Sequence, residues 1–182
     1  MNAWTEFYQD RLNSEYYAHI SRKYGRFISE VKKAIRPGDV VVEFGCGIGN
    51  ISRALSNLEC SLICVDNVND MLTFSAKNKL QGRAQFILAD ITKPYFIPGD
   101  VAHSHGVLEH LSNRQIQEAI KLQLKQYREL IHYVPGHRYK FPSFGDERLM
   151  TPEQWDAICK PDEIIEFNEG YDLILKWRNS NE

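Results

Sequence analysis

Apolar positions recur in steps of three and four from the N-terminus onward, at Trp4, Phe7, Tyr8, Leu12, Tyr16, Ile20, Tyr24, Phe27, Ile28, Val31 and Ile35. That spacing predicts amphipathic helix, in two pieces broken near Asn13-Ser14. Arg36-Pro37-Gly38-Asp39 ends the helical run, and the period then changes. Val40, Val41 and Val42 are β-branched and suit a strand buried on both faces. Leu62 to Val65, Gln85 to Leu88, Val101 to Ser104 and Glu129 to Val134 are further short apolar runs. Helical spacing returns between them, at Ile51 to Asn57 and from Asn69 through Met71, Leu72 and Ala76. Ser112-Asn113-Arg114-Gln115 fits a capping box ahead of Ile116, Ala119 and Ile120. Thr151-Pro152-Glu153-Gln154 reads as another helix start. Glu163 to Phe167 and Leu173 to Trp177, around Asn168-Glu169-Gly170, read as a hairpin. Repeated βα units predict a mainly parallel sheet with helices on both faces, and the hairpin adds an antiparallel strand at its edge.

The first strand runs into E-F-G-C-G-I-G, residues 43–49. Gly45, Gly47 and Gly49 let the backbone turn sharply and approach a ligand, and the helix that follows brings amide N–H groups to the same place. A dinucleotide fingerprint needs a third small residue, where this chain has Asn50. Glu43 at the strand end is also a poor neighbour for a pyrophosphate and a good one for a cationic amine.

Composition narrows the classes further. The 182 residues fit one domain of ordinary size, and 43% apolar with 25% charged residues is normal for a soluble globular protein. A formal net charge of −2 gives no global field for nucleic acid or membrane. No apolar stretch approaches a membrane span, and the N-terminus lacks a signal-peptide layout, so a cytoplasmic location is expected. Cys46, Cys60, Cys64 and Cys159 form neither a C-x-x-C pair nor a zinc-type cluster, so reduced thiols and no metal are expected.

The residue 43–49 run resembles the first motif of class I S-adenosylmethionine-dependent methyltransferases, and four further features follow in that family's order. Asp66 ends I-C-V-D-N, where such enzymes hold the ribose hydroxyls. N-D-M-L, with Met71, resembles the helix start that flanks the adenine. Asp90, in F-I-L-A-D-I, matches the acid that bonds the adenine amino group, with Ile91 beside it. H-S-H-G-V-L-E-H-L, from His103 to Leu111, resembles the fourth strand and the turn after it. The likeness covers roughly residues 38–135. The family's lysine-proline-glycine-glycine turn is replaced by Lys125-Gln126-Tyr127-Arg128.

The resemblance implies an α/β, Rossmann-like fold with a mainly parallel seven-stranded sheet, helices on both faces and an antiparallel C-terminal hairpin strand. Residues 1–36 would form an N-terminal helical cap and residues 37–182 the cofactor-binding domain. Glu43, Phe44, Gly45, Cys46, Gly47, Asp66, Asn67, Met71, Asp90, Ile91 and Ser104 are the expected cofactor contacts. The implied activity is methyl transfer from S-adenosyl-L-methionine to an O, N or C nucleophile of a small molecule, leaving S-adenosyl-L-homocysteine. A protein or RNA acceptor, or a domain that binds the cofactor without catalysis, is the alternative. A monomer or homodimer without a membrane partner is expected, and nucleic acid is disfavoured.

Candidate bases cluster after the fourth strand at His105, Glu109 and His110, with His105 and His110 the ones assigned to catalysis. The aromatic N-terminal stripe either packs on the sheet or folds over the cofactor, and its off-stripe Tyr17 is a candidate substrate contact. Residues 136–150 are basic and aromatic, which makes His137 and Phe144 further substrate candidates.

Overall fold

Successive side chains of a strand point to opposite faces of the sheet, and the valine run at the start of the fold is buried on both. In a computed structural model of the chain, residues 3–77, 84–93, 96–143 and 146–179 are described. Their strands are β1 (Val40–Phe44), β2 (Ser61–Asp66), β3 (Ala84–Leu88), β4 (Val101–His105), β5 (Glu129–Pro135), β6 (Glu163–Phe167) and β7 (Asp172–Arg178). They form one sheet in the order β3-β2-β1-β4-β5-β7-β6. The first five run parallel, and β7 pairs antiparallel with both β5 and β6. All seven strands, and the antiparallel hairpin, are those that the sequence pattern predicts.

The helices are α1 (Ala3–Tyr8), α2 (Ser14–Lys23), α3 (Gly25–Ala34), α4 (Asn50–Leu55), α5 (Asn69–Lys77), α6 (Asn113–Gln123) and α7 (Pro152–Cys159). On one face of the sheet Val41, Leu62, Val101 and Ile131 pack under Phe27 and Val31 of α3 and Ile51 and Leu55 of α4. On the other face Val42, Ala102, Leu130 and Leu173 pack under Ile116 and Ile120 of α6 and Trp155 of α7. Phe27, Val31 and Leu55 are fully buried, and each contributes about 1.5–3 kcal/mol by leaving water.

Caps fix the helix boundaries. Ser112 and Gln115 bond reciprocally at the start of α6, as Thr151 and Gln154 do at α7, so both predicted capping boxes are present. The N-terminal helical run differs from the predicted two pieces. Asn13 caps α2 through Tyr16 N, and a second break at Tyr24 separates α2 from α3. At Tyr24 the backbone leaves helical geometry but keeps its bond to Ile20 O, so apolar periodicity continues across the bend and hides it.

Chain order reverses at β1, which has β2 on one side and β4 on the other. Ligands of open α/β sheets bind in the crevice that this reversal opens at the strands' carboxyl ends. No described helix is long and apolar enough to cross a membrane.

Candidate functional site

A cavity of about 410 Å³ occupies that crevice. Gly45 and Gly47 from the turn after β1, Asp66 and Asn67 from the end of β2, Met71 of α5, and Asp90 and Ile91 after β3 all line it. These seven of the eleven expected cofactor contacts are brought together. Gly45 takes φ 63°, and a methyl group placed on it would overlap Val107 Cγ2 across the cleft. The Asp66 carboxylate accepts from Gly47 N and Val68 N, each at 2.9 Å, tying the glycine turn to β2. Burial raises the Asp66 pKa and these backbone donors oppose the rise. Backbone bonds from Gly47, Val68 and Asn67 leave the Asp66 carboxylate, with about four acceptor sites, room for a ligand hydroxyl. Asp90 uses Oδ1 on Thr92 N and Oγ1.

The other four expected contacts do not line the cleft. Strand alternation places Phe44 on the α6 face, edge-on to Tyr127. Ser104 is fully buried and shares a 2.8 Å hydrogen bond with His132 Nδ1. Cys46 points into a cluster with Cys64 and Leu72. Glu43 is buried against α4, where its Oε2 accepts from Ser52 N at 3.0 Å and from Ser52 Oγ. A protein carboxylate therefore takes an amide at the start of α4 that an anionic ligand would need.

Burial raises the Glu43 carboxyl well above its ordinary pKa. A raised acid contributes stability that is full below its unfolded value, about 4.3, and is lost as pH rises through the folded one. Glu43→Gln removes that loss. Urea midpoints measured from pH 5 to 8 should shift steadily in the variant's favour, and a constant difference would contradict the assignment.

A second cavity of about 300 Å³ lies toward β5 and shares Trp4, Tyr8, His105, Gly106 and His110 with the first. Tyr16, Tyr24, Tyr133, Tyr139 and Phe141 supply aromatic walls, and Lys23, Arg11 and Glu109 line it too. Tyr133 and Tyr139 are pinned because both hydroxyls donate to Asp172 Oδ1, at 2.7 and 2.8 Å.

Both histidines expected to be catalytic stand in the shared wall. His105 stacks on Tyr133 with ring centroids 4.3 Å apart, and burial lowers its pKa to about 3. The Nδ1 of His110 is 2.7 Å from Asp146 Oδ1, and its ring lies edge-on to Trp4. The N-terminal stripe divides between its two readings. Trp4 and Tyr8 of α1 line the cleft, while Phe27 and Val31 pack on the sheet.

Of the expected substrate contacts, Tyr17 is buried with Ile48 and Met71 beneath the Arg53 guanidinium and lines neither cavity. His137 is exposed. Phe144 lies outside the described residues. The reading from sequence gives no role to Val107, though it lies inside the His103–Leu111 run, or to Asp146 and Asp172; Asp146 is a loop residue without a motif, and Asp172 looks like an ordinary turn acid.

A methyltransferase-domain family model matches residues 41–126, from the second residue of β1 past β4 and α6. An uncharacterized methyltransferase of Geobacillus kaustophilus is 31% identical over 144 residues, 76% of this chain. The chain spans 62% of that relative's length. Among solved structures, a Pyrococcus horikoshii OT3 protein superposes with TM-score 0.76 at 15% identity, covering 95% of this chain and 98% of its own. The small RNA methyltransferase HEN1 superposes with TM-score 0.70 at 16% identity, covering 89% of this chain and 25% of its own. The motif order, the cleft at the strand reversal and these matches together support a class I S-adenosylmethionine-dependent methyltransferase.

Proposed function

We propose that the protein transfers a methyl group from S-adenosyl-L-methionine to a small-molecule acceptor seated in the second cavity. The observation that carries this reading is the shared wall of Trp4, Tyr8, His105, Gly106 and His110, which sets two ligand-sized spaces side by side. Asp66 would hold the ribose hydroxyls, Asp90 the adenine amino group, and Met71 and Ile91 the faces of the base. Gly45 and Gly47 leave room for the ligand chain along the backbone. When bound, the sulfonium supplies an already activated methyl group. What remains for the protein is alignment and exclusion of water, and alignment alone reaches effective molarities of about 10⁵–10⁸ M in intramolecular reactions of small molecules.

The Glu43 carboxyl on Ser52 N weighs against a dinucleotide, because it holds an amide at the α4 start where a pyrophosphate would sit. The second cavity is walled in part by aromatic rings and has about 300 Å³, the low end for small-molecule pockets. That supports a small acceptor over RNA, although HEN1 shares the fold.

Titration calorimetry with S-adenosylhomocysteine and with NADH tests the reading. The first should bind and the second should not; the reverse pattern would sink it. Radiolabelled methyl transfer into separate pools of small molecules, RNA and protein should label the small molecules, and label confined to RNA would overturn the acceptor class.

A further inference from the structure

Glu109 is 3% exposed and lines the acceptor cavity, yet its Oε2 has no hydrogen-bond partner among the described residues. An unpaired buried polar group costs about 1–3 kcal/mol. The local fold does not require it, since the turn Leu108–His110 is closed by backbone bonds from His110 N to Val107 O and from Leu111 N to Leu108 O. Its position separates Glu109 from the neighbouring histidines. His105 and His110 line both cavities, whereas Glu109 lines only the acceptor side. A base must face the nucleophile while staying off the line between nucleophile and methyl carbon, and Glu109 is the ionisable side chain of this turn that meets both conditions.

On the footing of the methyl-transfer reading, we propose that the acceptor is a phenol-type hydroxyl on a planar ring and that Glu109 is the catalytic base that takes its proton. Tyr16, Tyr24, Tyr139 and Phe141 offer the ring stacking and edge contacts that aromatic ligands favour. The proton passes to the Glu109 carboxylate, the oxygen bonds the methyl carbon, and the leaving thioether keeps the electron pair of the broken C–S bond. Glu109 returns the proton to water when product leaves.

The surroundings suit that task. Burial raises the Glu109 pKa to about 8; Glu147 and Asp146 from the facing loop add to the rise and Arg148 opposes it. His105 on β4 is neutral near pH 8, and Lys23 of α2 and Arg11, between α1 and α2, face the same cavity. A carboxylate near 8 lies much closer to a phenol, about 10, than an ordinary carboxylate near 4.3 does, and proton transfer is more efficient when donor and acceptor are matched.

The probe is 4-nitrophenol, whose absorbance reports its ionisation, with 4-nitroanisole as the control that has no proton. Both are titrated into the protein with and without S-adenosylhomocysteine. Wild type should bind 4-nitrophenol in its ionised form at pH 6, and Glu109→Gln should bind it neutral and at least tenfold more weakly. Both proteins should bind 4-nitroanisole alike and S-adenosylhomocysteine alike. In wild type alone, affinity for 4-nitrophenol should fall about tenfold per pH unit above about 8, where both partners carry charge; this holds as a test even if the Gln variant does not fold. Unchanged binding and ionisation in the variant, a flat wild-type profile, or no phenol binding would overturn the proposal. Loss of S-adenosylhomocysteine binding with the Glu109-dependent ionisation intact would instead sink the methyl-transfer reading and leave the phenol site standing.

Discussion

Gly45→Ala is expected to lower affinity for S-adenosylhomocysteine at least tenfold and to lower the melting temperature by about 5–10 °C. Two separate terms act at this residue. Its φ of 63° lies in the left-handed region, which costs a residue with a Cβ about 1–2 kcal/mol. The added methyl also overlaps Val107 Cγ2, and Val107 itself lines the cleft. Either the glycine turn lifts or Val107 swings away, and both movements displace a wall of the site. A tenfold change in affinity is about 1.4 kcal/mol, less than the two terms combined. At about 2–4 °C per kcal/mol for a domain of this length, the stability loss is easily read.

Gly38→Ala is the control. Gly38 has φ 90°, a methyl group added there would meet nothing within 4 Å, and the residue precedes β1 at the end of the strand away from the cleft. That variant should lose stability and keep its affinity for S-adenosylhomocysteine. If Gly38→Ala weakens binding as much as Gly45→Ala, the effect is general destabilisation and the packing argument for the cleft fails.

The sheet is legible in the chain because its strands are short apolar runs between strong stop signals. Arg36-Pro37-Gly38-Asp39 before β1 and Asn168-Glu169-Gly170 before β7 mark ends that no helix crosses. Where a boundary leaves the apolar period intact, as at Tyr24, sequence pattern does not show it. The site is legible only in part for a related reason. Motif order identifies the residues at strand ends, Gly45, Asp66 and Asp90, because fold topology alone carries them to the crevice. Alternation within the strands then decides which neighbours reach it, and it turns Phe44 and Ser104 to the α6 face. Glu43 keeps its place at the strand end but is taken up by Ser52 nine residues on. Asp146 meets His110 across 36 positions, a pairing set by loop path, for which local sequence carries no signal.

Asp172→Ala is expected to be the most destabilising change on the acceptor side, at about 3 kcal/mol or more, while leaving affinity for S-adenosylhomocysteine in the surviving folded protein unaltered. Asp172 is fully buried, and its carboxylate accepts from Tyr133 and Tyr139 hydroxyls on one oxygen and from Asn168 Nδ2 on the other, at 2.5 Å. Removing the acceptor strands the two tyrosine hydroxyls, while exposed Asn168 can turn to water; each buried unpaired group costs about 1–3 kcal/mol. Asn168 also donates to Lys23 O, so the same carboxylate helps hold the β6–β7 turn against α2. Asp172→Asn should cost less, since its remaining oxygen can keep both tyrosines and only the contact with the Asn168 amide turns donor against donor. Asp172 lines neither cavity, whereas Tyr133 and Tyr139 line the acceptor side. The tyrosine walls should therefore loosen, and binding of 4-nitrophenol should weaken severalfold in both variants, more in Asp172→Ala. Thermal melts paired with the two ligand titrations separate the effects. An Asp172→Ala protein that melts within about 2 °C of wild type and binds 4-nitrophenol normally would mean that packing alone holds the rings, and that the buried carboxylate has no part in shaping the acceptor site.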